Sequence, residues 1–364
     1  MEKNKLIALH GSYYHHNYGD ILLMDIMRKW IKEYDEKIEV LLPYAQSYIA
    51  KDIGAERYGE KYLNEADAFI FGGGGYFGEP PQKKYLWGLR NIQRYSLPRK
   101  KLTKNNKPYA IIGVGAGPIS NPLTRNSIVK TVRKAKFVAV RDEESKKFLI
   151  DNNVDKASLI ETSDIVNQLS KDDIPASASK EAEEIVKSSE GQIKVGIHLG
   201  NFDNKEVRKV IIDEITKFSN ENLNVSIFLI CDWKGKYSDV TLELSERISR
   251  AVLVPYKDHW TFTALIGQLD LVLTTKLHVG IVSSALNKHA ISIAAHSKTP
   301  RFYKQINASD RCIQLDDLRE GFVYEKLSYY SFKKVNTQII PNNIIQKSKR
   351  NKEILFNFLD SIYH

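Results

Sequence analysis

Eleven short apolar runs recur along the chain, near-continuous rather than alternating, with longer amphipathic stretches between them. A strand that is apolar on both faces must be covered on both, which is the situation of parallel sheets flanked by helices. The runs are LIALH (6–10), IEVLLPY (38–44), AFIFGG (68–73), YAIIGVG (109–115), FVAVRD (137–142) and ASLIETS (157–163), then IKVGIHLG (193–200), VSIFLICD (225–232), AVLVPY (251–256), LDLVLTT (269–275) and AISIAAH (290–296). ILLMDIMRKWIKEY (21–34) repeats its apolar residues at three and four spacings and predicts a helix. The expected class is therefore α/β.

With 364 residues the chain exceeds one ordinary core. Residues 169–192 are polar, with Pro175 and several serines, and read as a linker holding one helix at EAEEIV. The pattern predicts two doubly wound, Rossmann-like domains facing each other across a cleft. The first spans 1–168 and the second 193–340. A terminal helix over 341–364 has an apolar face that could cross back onto the first domain.

Lys and Arg outnumber Asp and Glu by 54 to 44, a net charge of +10. That suits an anionic substrate or an anionic membrane surface. No aromatic-plus-basic recognition module for nucleic acid is present, so no nucleic-acid partner is expected. Cys231 and Cys312, the only cysteines, define neither a disulfide framework nor a zinc site. No apolar run approaches the roughly 18 residues of a membrane span. The start, MEKNKLIALHG, is too short in its apolar part for a signal peptide. A cytoplasmic protein is expected.

Glycines gather at three strand ends. HGSYYHHNYGD (10–20) offers Gly11 and Gly19 for tight turns and Asp20 as a helix cap, and backbone N–H groups there can hold an anion. It lacks GxGxxG and GK[ST] spacing. His10, His15 and His16 match no metal-ligand spacing, and no metal is expected. The run Gly72, Gly73, Gly74, Gly75 reads as a loop that lets backbone approach a ligand, on the ground that packing alone does not account for four glycines. GVGAGP, with Gly115, repeats the theme.

Charged residues follow the strands too. Arg141 and Asp142 end FVAVRD, and an arginine there can fork onto a carboxylate or phosphate. TTKLH places Thr275, Lys276 and His278 where a strand hands over to a helix, and AAHSKTPRF adds His296, Lys298 and Arg301. Such a position in an open α/β sheet lies at the ligand crevice. A histidine flanked there by cations is an acid/base candidate.

GSYYHHNYGD, IFGGGGYF, GVGAGP, VAVRDEES, TTKLHVG and AAHSKTPRF together resemble the polysaccharide pyruvyl transferase family over nearly the whole length. The family's late motif is usually Ser-x-Arg-x-His. Here it reads Thr274-Thr275-Lys276-Leu277-His278, which keeps the charge and loses the planar fork. The resemblance implies a GT-B-like fold and transfer of the enolpyruvyl group of phosphoenolpyruvate onto two sugar hydroxyls. It implies that Arg141, His278 and Lys298 face the donor, with His278 as proton donor, and that Lys276, Thr275, Gly11, Asn17, Gly19, Asp20, Gly73, Gly74, Gly75, Gly115 and Asp142 serve binding. Phosphoenolpyruvate is then the donor substrate and no cofactor is needed. The acceptor would be a glycan, often lipid-linked at the inner membrane face. Tyr13, Tyr14, Tyr18, Tyr76, Phe77 and Trp87 are candidates to stack on its rings. The competing readings are a glycosyltransferase of the same fold using a nucleotide sugar, for which Asp258 is the available ribose carboxylate, and a non-catalytic glycan- or phosphate-binding protein.

Overall fold

The computed structural model describes residues 5–14, 17–187, 189, 192–294 and 297–364. His15, His16 and His296 lie outside them. The chain divides into two compact units: residues up to Gln168 with Asn343–His364, and Leu169–Asn342.

The first unit carries β1 (Leu6–His10), β2 (Glu39–Leu42), β3 (Arg57–Tyr58), β4 (Ala68–Phe71), β5 (Gly74–Phe77), β6 (Tyr109–Ala116), β7 (Phe137–Val140) and β8 (Ile160–Glu161). Its helices are α1 (Tyr18–Tyr34), α2 (Ser47–Ile53), α3 (Lys84–Asn91), α4 (Leu97–Lys104), α5 (Pro122–Arg133) and α6 (Glu143–Asp151). The second unit holds β9 (Ile193–His198), β10 (Val225–Ile230), β11 (Val252–Val254), β12 (Leu271–Thr274), β13 (His289–Ala294) and β14 (Cys312–Gln314). Around them lie α7 (Ala176–Lys187), α8 (Lys205–Glu221), α9 (Asp239–Arg247), α10 (His259–Gln268), α11 (Leu277–Ala285), α12 (Lys298–Gln305) and α13 (Phe322–Phe332). α14 (Asn342–Tyr363) ends the chain. Among the described residues no helix is long and apolar enough to cross a membrane.

Both sheets are parallel throughout. Their orders are β3-β2-β1-β4-β6-β7-β8, with β5 on β6, and β11-β10-β9-β12-β13-β14. Each order reverses once, between β1 and β4 and between β9 and β12. The carboxyl ends of the strands at such a switch point are where open α/β sheets bind ligands. The apolar runs form the strands because both faces are covered: every residue of β1, β4, β6, β10 and β12 is buried.

The strand expected over 157–163 shrinks to Ile160–Glu161, because Lys156–Ser158 winds into a helical turn capped by Asp155. β3 has only two residues, β5 (GGYF) is half glycine and β14 (CIQ) carries one aliphatic residue, so no apolar run marks them. α7 packs on α10 and so belongs with the second unit.

α14 is bound to the first unit by polar as well as apolar contacts. The Ser348 hydroxyl donates to the Asp164 carbonyl at 2.7 Å, and Asn351 Nδ2 donates to the Ser163 carbonyl at 2.9 Å. Leu355, Phe358 and Leu359 are fully buried.

Candidate functional site

In the second unit the switch point is built by two threonines. Thr274 ends β12, and its Oγ1 accepts the Lys276 N–H at 2.9 Å while lying 3.0 Å from His198 Nδ1. The Thr275 N–H donates to the His198 carbonyl at 3.1 Å, and its hydroxyl accepts the Gly200 N–H at 2.9 Å. The ends of β9 and β12 are thus tied together, which fixes where α11 begins.

Lys276 is the capping residue of α11, in extended backbone, and projects from the rim with its side chain about half exposed at 47%. Its Nζ stands 3.8 Å from Asp232 Oδ2, and Asp232 Oδ1 stands 3.3 Å from His198 Nε2. Burial pushes the Asp232 carboxyl up, but the charge and hydrogen bond of His198, with Lys276, overcome it and hold the group well below the usual carboxylate range. A half-buried carboxylate just past β10 therefore stands between the imidazole that ends β9 and the lysine that follows β12. His278 is half-buried in the first turn of α11. Lys298 opens α12, which follows β13, the strand paired with β12. Asp258 is committed to its own helix: its carboxylate accepts the N–H groups of Trp260 and Thr261, both at 2.9 Å, and the Thr261 hydroxyl at 2.8 Å.

The first unit places its candidates differently. Arg141 follows β7 but is only 6% exposed, and its Nη1 donates to Asp164 Oδ2 at 3.0 Å. The guanidinium lies across Gly115, where a Cβ would meet Nε at 2.6 Å. Gly115 is a glycine because an arginine is packed on it. Asp142 caps α6 by accepting the Ser145 N–H at 2.7 Å. Asn17 caps α1, accepting from the Gly19 N–H at 3.2 Å, and Asp20 follows in the first turn.

The expectation that packing does not account for the glycine run is corrected. A Cβ on Gly72 would meet Met27 Sδ at 2.5 Å, and one on Gly73 would meet Ile165 and Leu23 at 3.0 and 3.1 Å. A Cβ on Gly11 would meet Met24 at 2.7 Å. These glycines let α1 lie close on the sheet. Gly74, with φ of +114°, starts β5, so the run ends in a strand that also takes in Gly75. Of the aromatic candidates, Tyr13, Tyr18, Tyr76 and Phe77 are core residues, whereas Tyr14 and Trp87 are partly exposed. His10 is fully buried among aromatic rings and donates from Nε2 to the Arg94 carbonyl at 2.8 Å; burial lowers it to about 3, against the raising effect of that hydrogen bond, and keeps it neutral. Among the described residues no group of three His, Cys, Asp or Glu is placed to share a metal.

The structure thus brings Thr275 and Lys276 together with His198 and Asp232, and Gly115 and Arg141 together with Asp164. His198, Asp232 and Asp164 were not singled out in the sequence. The first two could have been, since each ends an apolar strand just as Arg141 does.

Two parallel sheets of this kind, each with one reversal of strand order, make a GT-B-like α/β fold. The solved structures most like this chain include UDP-GlcNAc 2-epimerase from Methanocaldococcus jannaschii, with TM-score 0.66, 13% identity, and 97% of this chain and 99% of that one covered. A Staphylococcus aureus MnaA structure with UDP gives TM-score 0.63, 10% identity, and 99% and 98% coverage. The Neisseria meningitidis UDP-GlcNAc 2-epimerase bound to UDP-GlcNAc gives 0.62, 12%, and 97% and 100%. At such identities the likeness is one of fold. No curated protein matches the sequence. The pattern of the polysaccharide pyruvyl transferase family matches residues 17–297. The chain belongs to that family of enzymes.

Proposed function

We propose that the protein transfers the enolpyruvyl group of phosphoenolpyruvate onto two hydroxyls of one sugar in a surface-glycan precursor. The observation that carries this reading is the rim of the β9–β12 switch point. There Lys276, its Nζ 3.8 Å from the carboxylate that His198 faces, projects two residues before His278 at the start of α11. A small, densely anionic donor needs a fixed cation and a proton source side by side.

In this reading protonated His278 gives its proton to the methylene carbon, which becomes the methyl group. C2 becomes an oxocarbenium centre, and a first sugar hydroxyl adds to it while its proton returns to His278. The C2–O bond to phosphate then breaks, and Lys276 and Lys298 offset the charge of the leaving group. The second hydroxyl adds at C2, closing the ketal, and its proton leaves with inorganic phosphate. Arg141, with its charge taken up by Asp164, orders the carboxyl edge of the first sheet.

A second reading, nucleotide-sugar transfer, is favoured by the fold likeness to UDP-bound structures. It is opposed by Asp258, which is engaged in capping α10 rather than offered to a ribose. Thermal unfolding with each ligand separates the two. Ligand at about 100 times its dissociation constant adds roughly 2.7 kcal/mol to the folded state. Stabilisation by phosphoenolpyruvate that Lys276→Ala weakens is expected. Stabilisation by a UDP-sugar alone would overturn the proposal.

A further inference from the structure

One stretch of the first unit shows an outer face that the proposed chemistry does not use. α3, a π-helical turn over Ile92–Ser96 and α4 follow one another without a break from Lys84 to Lys104. Along this rod Tyr85, Leu86, Leu89 and Leu97 are 69%, 50%, 51% and 44% exposed. Leu86, Leu89 and Leu97 fall at three- and eight-residue steps with exposed Gln93 between them, so they share one side of the helix. Gly88 lets α5 begin against the rod, since a Cβ there would meet Thr124 Oγ1 at 2.5 Å. The residue before that threonine, Leu123, is 76% exposed. Five of the thirteen exposed large hydrophobics among the described residues therefore gather here.

Charge surrounds them. Residues 83–104 contain eight Lys or Arg and no Asp or Glu. Lys84 pairs with Glu79 at 3.3 Å and Lys101 pairs with Glu60, so among the described residues most of the positive charge has no salt bridge. An apolar stripe bordered by cations is the surface of a helix that lies in the plane of a membrane interface, its leucines among the acyl chains and its cations at anionic headgroups. A second copy of the chain suits it poorly, because a two-fold contact would set this basic face against itself.

Next to the stripe lies a pocket of about 440 Å³ whose lining includes Tyr14, Tyr44, Glu60, Gln93, Leu97 and Lys101. The Arg94 guanidinium stacks over the Tyr14 ring at 3.9 Å. Leu97 is common to the pocket and the outer stripe. Aromatic faces with an amide and an ion pair suit a hydroxylated ring, so a sugar attached to a membrane lipid could enter while its lipid stayed beneath the leucines.

We infer that the α3–α4 face docks the enzyme onto an anionic lipid surface, presenting the Tyr14–Tyr44 pocket to membrane-held glycan. Only the identity of what the membrane carries rests on the pyruvyl-transfer reading; the docking rests on the surface. The test is flotation of the intact protein with vesicles of phosphatidylcholine, alone or mixed with phosphatidylglycerol. Binding to the mixed vesicles alone is expected. Each basic residue near such a surface contributes about fivefold in affinity, so Lys100→Glu/Lys104→Glu should lose roughly 25-fold or more. Leu86→Ser/Leu89→Ser should lose on the order of tenfold through its apolar face. Lys349→Glu/Arg350→Glu, an equal charge change on α14, should float like the unaltered protein. Melting curves for each variant separate lost docking from lost folding. No binding to mixed vesicles, or an equal loss from the α14 pair, would overturn the inference. So would a dimer that Leu86→Ser/Leu89→Ser dissociates while vesicle binding is unchanged. None of these readouts uses phosphoenolpyruvate, so a failed donor assay leaves the docking result standing.

Discussion

Replacing Asp232 by asparagine removes one charge from the second unit and keeps the shape. In Asp232→Asn the amide oxygen would still offer His198 Nε2 an acceptor where the carboxylate now stands at 3.3 Å, so the loss is the charged part of that hydrogen bond. A bond to a charged group contributes about 1.5–3 kcal/mol and a neutral one about 0.5–1.5 kcal/mol. The Lys276 contact, at 3.8 Å with the lysine half exposed, adds little. A cost of about 1–2 kcal/mol at neutral pH follows, or roughly 2–8 °C in melting temperature for a unit of this size. The Asp232 carboxyl is held below its ordinary range, so its stabilisation is complete above the unfolded-state value near pH 4 and is lost as pH falls through the folded value. Melting both proteins by near-ultraviolet circular dichroism at pH 5 and 3 should therefore show a gap at pH 5 that narrows at 3. Equal melting at pH 5, or a gap at pH 3 as wide as that at pH 5, would refute the electrostatic argument.

His278→Gln should lower phosphate release on the order of 100-fold while phosphoenolpyruvate affinity, measured by titration, stays about constant; undiminished turnover would remove His278 from the chemistry. Gly115→Ala puts a Cβ 2.6 Å from Arg141 Nε, and the arginine is held by Asp164, so a loss of about 2–4 kcal/mol in guanidinium unfolding is expected. A cost under about 0.5 kcal/mol would mean that the guanidinium moves freely. Ser348→Ala removes the hydroxyl that donates to the Asp164 carbonyl at 2.7 Å in a buried contact. It should cost about 1–3 kcal/mol and speed amide exchange in α14 before the rest of the first unit.

The sequence alone determined the class of the fold, because strands covered on both faces must be mostly apolar along their length, and ten of the eleven runs became strands of four or more residues or the short edge strand β11. ASLIETS failed because Asp155 supplies a cap that competes with the strand. TTKLH was legible as a rim position, since a lysine and a histidine stand where β12 gives way to α11. Three things depended on tertiary structure. The glycine run is shaped by Met24, Met27 and Leu23 on α1, which no local pattern connects with it. Arg141 reads as able to fork onto a carboxylate or phosphate, and only the fold brings Asp164, 23 residues later, against it. His198, Asp232 and Lys276 lie on three different strand ends, and what makes them one group is the parallel order β10-β9-β12. Periodicity fixes which face of an element is buried; which elements meet at that face is settled by strand order, and the partners of buried charges follow from it.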